Sequence, residues 1–196
     1  MTFSFARLGA LALLTLALTA CASSRSLDDT FTDFSASSNL RGILFSDRQH
    51  DYGDVDITMH EGRLMLTGSM FTEDGRAKLI ENAWKAEGVT QVVDEIVIGE
   101  KTRFSQGLED TRIDNVLRGR LIGADGVTSG RYKIAVSQSV VYLIGDARDQ
   151  TELDKALAIA SSISGVEKVV NHVQVQASLL APAPAAAPDG ASGQPQ

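Results

Sequence analysis

The chain has 196 residues, 43% of them hydrophobic, 22% charged and 6% aromatic, a globular composition with room for one ordinary domain or two small ones. Eighteen Lys and Arg against 25 Asp and Glu leave a formal charge of −7, which sets aside broad binding to nucleic acid, since that needs a basic face. A single cysteine excludes an internal disulfide framework and any multi-cysteine zinc site.

Residues 1–20 carry one basic residue, Arg7, then an apolar run from Leu8 to Leu18 and small residues after it. The run is too short to span a bilayer and reads as a secretory signal. It ends in Leu18-Thr19-Ala20-Cys21, which resembles a bacterial lipobox. The resemblance implies cleavage before Cys21 and acylation of that residue. Three acyl chains exceed the two-signal threshold for stable anchoring, at roughly 0.8 kcal/mol per buried methylene. Ala22 after the cysteine, by similarity to enterobacterial lipoproteins, implies the outer membrane, with the protein on its periplasmic face. Residues 21–32 are expected to form a lipidated tether.

Sliding the chain along itself by 77 residues aligns Leu40-Arg41-Gly42 with Leu117-Arg118-Gly119, Ile57 with Ile134, Gly68 with Gly145, and Gly88-Val89 with Gly165-Val166. Two units follow, 33–98 and 110–175, joined by a linker at 99–109. Each has the same predicted order. Leu40, Ile43 and Leu44, like Ile113, Val116, Leu117 and Leu121, fall at helical spacing. Val55, Ile57 and Met59, like Tyr132, Ile134 and Val136, alternate with other residues as strands do. Polar turns lead to second strands at Leu64 to Ser69 and Val140 to Gly145. Longer helices are expected over Glu73 to Glu87, with Ala77, Ile80, Ala83 and Trp84 as the core face, and over Gln150 to Ser164. Gly88 and Gly165 stand where helices end, and last strands run over Val92 to Ile98 and Val169 to Val175. The expected fold is α+β: two αββαβ modules, each a three-stranded mixed sheet with two helices on one face. Residues 176–196, rich in Ala and Pro, read as a disordered tail.

This order, with Gly-Val after the second helix and Asp94 or Asn171 shortly beyond, resembles the BON domain. The doubled pattern behind a lipobox is similar to the dual-BON outer-membrane lipoprotein (DolP-like) family, related to osmotically induced periplasmic proteins. The resemblance implies a non-enzymatic role in envelope integrity, with the second unit binding anionic phospholipid.

Catalytic chemistry is not legible. His50, His60 and His172 show no ligand spacing and read as solvated, so no metal site and no cofactor are expected. No Gly-x-Ser-x-Gly elbow and no phosphate-cradling Gly-rich loop with Lys occurs. Gly42, Gly119 and Gly123 suggest close packing of the first helix of each unit on its own sheet. The units differ in charge: residues 33–98 hold 12 acidic and 6 basic side chains, residues 110–175 hold 8 of each. An anionic bilayer repels the first and tolerates the second. Lipid contact is therefore expected at Arg112, Arg118, Arg120 and Arg131, with Ile122 as the apolar contact. The competing expectation for Arg112 and Arg118 is a solvated helix face paired with Asp110 and Asp114. As a whole-protein alternative, the acidic first unit serves as an adaptor, docking an outer-membrane assembly or peptidoglycan-remodelling partner. Free sheet edges make edge pairing between units or chains a further expectation.

Overall fold

The computed structural model describes residues 27–100, 102 and 104–176. The signal segment, Cys21 and the Ala/Pro-rich tail lie outside them. In chain order the elements are α1 (Leu27–Ser46), β1 (Val55–His60), β2 (Arg63–Met70), α2 (Glu73–Ala83), β3 (Gln91–Ile98), α3 (Phe104–Ile122), β4 (Tyr132–Ser137), β5 (Val140–Ala147), α4 (Gln150–Ser161) and β6 (Lys168–Val175). They form two three-stranded sheets ordered β1-β2-β3 and β4-β5-β6, each with an antiparallel and a parallel pair. The expected α+β fold of two αββαβ modules is what the chain adopts.

Equivalent residues build equivalent joints. Thr72 and Asp149 cap α2 and α4, accepting from the N–H of Gly75 and Glu152. The turns Glu61-Gly62 and Gln138-Ser139 have positive φ at both residues, as a two-residue hairpin turn of this twist requires. Their amides are held by an aspartate from the preceding helix: Asp33 accepts from Glu61 and Gly62, Asp110 from Gln138 and Ser139. Asp94 and Asn171 accept from the amides two residues on, Ile96 and Val173. Gly68 and Gly145 sit where strands cross at backbone distance. A Cβ there would meet the carbonyl oxygens of Asp54 and Arg131 at 1.9 and 2.1 Å.

Each module has its own core between sheet and helices. Leu40, Leu44, Ile57, Leu64, Leu66, Leu79 and Ala83 fill the first, and Ile113, Leu117, Leu121, Ile134, Val141, Leu143 and Ala160 the second. A third cluster, Met65, Ala135, Tyr142 and Ile144 with Val93, Val140 and Val170, lies on the sheet faces opposite the helices. The modules thus meet through their sheet faces, not by edge pairing. This is why β2 is buried along its whole length: both of its faces are covered. Glu95 and His172, which occupy equivalent places one repeat apart, bond to each other at 2.8 Å across this contact.

Several details depart from expectation. The first helix starts at Leu27, inside the stretch read as tether, and α3 starts at Phe104, inside the stretch read as linker. The early turns of α3 are held by Gln106, which donates to Asp110 and Ser139. On α2 the buried residues are Gly75, Leu79, Asn82 and Ala83. Ala77 and Trp84, both expected in the core, are exposed, Trp84 by 54% at the helix end, while Leu79, outside the expected face, is buried. Gly42 and Gly119 have nothing within 4 Å of a built Cβ, so they do not mediate close packing.

Candidate functional site

Four of the five residues expected to meet lipid stand on α3, and Arg131 ends the short 3-10 turn just before β4. Arg112 grips Glu109 through Nε at 3.0 Å and Nη2 at 2.6 Å, and also donates to the Ser164 carbonyl. That carboxylate raises the Arg112 pKa above the usual arginine value. Its partner is Glu109 and not Asp110, which is buried on the hairpin turn. Arg118 makes a bidentate pair with Asp114, at 2.7 and 2.8 Å, and reaches the Ile134 carbonyl at the β4 edge. Arg120 donates to the Ser162 hydroxyl at 2.9 Å, a neutral partner. Arg131 donates to the Gln176 side chain at 3.0 Å.

Arg112 and Arg120 are thus brought together over the end of α4, where a cation also meets the negative pole of that helix. Arg118 turns the other way, and Arg131 lies beside the residue after β6. Arg112 and Arg118 are matched by carboxylates a turn away, so among the described residues of α3 Arg120 is the arginine whose hydrogen-bond partner is neutral. Ile122, the last residue of α3, is 73% exposed. Its equivalent one repeat back, Phe45, is 85% exposed at the end of α1. Both helices end in a large apolar side chain offered to solvent.

The second notable place is the corner where the sheet faces meet. His60 is 1% exposed and bonds the Asp146 carboxylate at 2.6 Å. Arg63 donates to the carbonyls of Gly145 and His172 at 2.7 and 2.8 Å and to Asp146 at 3.4 Å. Burial alone raises the Asp146 carboxyl, but the His60 hydrogen bond and the charges of His60 and Arg63 outweigh it and hold the group below its ordinary value. Burial also lowers Arg63 from its usual range. The three histidines, expected in solvent, are all engaged. His60 and His172 tie the modules together, and His50 bridges Asp47 and Asp74 at 2.9 and 3.2 Å.

A model of the BON domain matches residues 32–100 and 109–177. The chain belongs to the BON-domain family. Among relatives of the paired BON modules, a protein of Anaplasma centrale described as "Uncharacterized protein in gshII 5'region" is 30% identical over 66% of this chain and 86% of its own length. The "21 kDa hemolysin" of Actinobacillus pleuropneumoniae is 28% identical over 61% of this chain and 63% of its own. "Outer membrane lipoprotein DolP" of Haemophilus influenzae is 28% identical over 60% of this chain and 61% of its own. The chain spans less than two thirds of the length of the last two. Among the described residues, no helix is long and apolar enough to cross a membrane.

Proposed function

We propose that this protein is a non-enzymatic lipoprotein of the outer membrane, anchored through Cys21 on the periplasmic face, whose second BON module binds anionic phospholipid and supports envelope integrity. The end of α3 carries the reading: Arg120, a cation with a neutral partner, stands two residues before the solvent-exposed Ile122. A hydrophobic side chain and a cation with a neutral partner at one helix end suit the boundary between headgroup and acyl chain. Of the other candidate arginines, Arg112 lies with Arg120 over the end of α4 but shares its charge with Glu109, while Arg118, paired with Asp114, turns the other way and Arg131 lies beside Gln176. The similarity to DolP supports the membrane assignment, and the lipobox supports the anchor.

Each arginine near an anionic surface contributes about 1 kcal/mol, decaying within a Debye length. Unanchored, the protein binds weakly and in a salt-sensitive way, and acylation makes that binding effective by holding the module beside the headgroups. The test is flotation of the mature Cys21→Ala chain with phosphatidylglycerol vesicles and with phosphatidylcholine vesicles. Co-flotation with the anionic vesicles alone, lost at high salt, is expected. Failure to float with either, together with recovery of a specific envelope protein by the acidic first module, would favour the adaptor role instead.

A further inference from the structure

We propose that His60, Glu61 and Asp146 form a divalent-cation site bridging the two BON modules, suited to an ion such as Zn2+ that accepts both nitrogen and oxygen ligands. One donor atom from each residue can be chosen so that all lie within 4.8 Å of one another. Imidazole nitrogen and carboxylate oxygen are both donors that zinc takes, and three protein ligands leave a fourth position for water. His60 and Asp146 are buried and Glu61 is exposed, so the cluster opens to solvent on the Glu61 side.

The second module shows that the fold does not need these groups. One repeat along, His60, Glu61 and the residue equivalent to Asp146 become Ser137, Gln138 and Ser69. The hairpin there has the same positive φ at both turn residues and the same aspartate clamp. Histidine and two acids at this one corner of the repeated modules therefore ask for a role other than making the turn. Two carboxylates this close repel unless a cation or a proton lies between them. Arg63 supplies one positive charge, and hydrogen bonds from His60 and Glu61 to Asp146 place protons in the cluster that a metal ion would displace. The Arg63 guanidinium is held by two backbone carbonyls and donates to Asp146 Oδ1, which leaves Oδ2 facing His60. Arg63 is then the outer residue that orients a ligating carboxylate.

Ligand bonds of about 2.0–2.1 Å at a tetrahedral angle put donor atoms roughly 3.3 Å apart. His60 and Asp146, now 2.6 Å apart, separate slightly to admit the ion, and Glu61 closes from the exposed turn. With ligands from both modules, the ion pins the sheet faces together.

Zinc titration by calorimetry on the mature Cys21→Ala chain, which has no thiol, tests this. One zinc per chain is expected. Glu61→Gln, which installs the residue the second module carries at this place, should keep the fold by circular dichroism and weaken binding at least tenfold. His60→Gln should do the same, and His50→Gln should leave binding unchanged. Absence of zinc binding at millimolar concentration, or full affinity in folded Glu61→Gln, would overturn the site.

Discussion

Replacing Arg63 by Met keeps the length of the buried stem and removes the charge that joins the modules. The guanidinium side chain is 10% exposed and Asp146 is 9% exposed. The variant leaves the carbonyls of Gly145 and His172 without this donor and Asp146 with a weakened counter-charge. Breaking a buried pair by removing one partner costs about 3–5 kcal/mol, most of it the uncompensated charge. For a protein of this size 1 kcal/mol moves the melting temperature by roughly 2–4 °C, so a loss of about 3 kcal/mol lowers Tm by roughly 6–12 °C. Thermal and urea unfolding of the mature chain measure it. Arg63→Met/Asp146→Asn should recover part of the loss, because the stranded charge is then gone while an acceptor for His60 remains. A cost below about 1 kcal/mol in the single variant, the worth of a solvent-exposed pair, would refute the packing of the two sheet faces.

Gly68→Val or Gly145→Val forces a Cβ into a carbonyl oxygen at positive φ. Strain and overpacking together should cost about 2–6 kcal/mol in thermal melts. Asp149→Ala removes the cap of α4 and should lower stability by about 1 kcal/mol in urea titrations. His50 has its pKa raised above 6.5 by its hydrogen bonds to Asp47 and Asp74. Its contribution is complete below the unfolded value of about 6.5 and is lost as pH rises through the higher folded value. Imidazole titration by NMR should therefore give a midpoint above 6.5, and His50→Gln should remove the fall in stability over that range.

The repeat made the modules readable. A shift of 77 residues places cap on cap, turn on turn and Gly68 on Gly145, so element order and the helix-facing core followed from periodicity. What periodicity does not carry is the packing of module on module. Its trace was present in the central strands: Leu64-Met65-Leu66 and Val141-Tyr142-Leu143-Ile144 run apolar without alternation, as strands covered on both faces do. His60, Arg63 and Asp146 were opaque because their partners lie more than 80 residues away. The clamp of Asp33 and Asp110 on the hairpin turns was legible in principle, since the two fall one repeat apart. The arginines of α3 were located but not their partners, because choosing between Glu109 and Asp110 for Arg112 depends on which carboxylate the neighbouring turn already holds. The buried stripe of α2 was misjudged, since Ala77 and Trp84 face solvent and Leu79 lies in the core.

The proposed membrane contact is tested most directly by comparing equivalent helix ends in one flotation assay. Arg120→Glu/Ile122→Ser in the second module and Phe45→Ser in the first are each placed in the mature Cys21→Ala chain with phosphatidylglycerol vesicles. Phe45 is the more exposed of the two apolar side chains, but its module carries twice as many acidic as basic residues. The Arg120/Ile122 variant should stay folded and lose binding, and Phe45→Ser should bind as the parent does. Undiminished flotation of the folded Arg120→Glu/Ile122→Ser chain, or loss of flotation in Phe45→Ser alone, would contradict lipid binding through the second module.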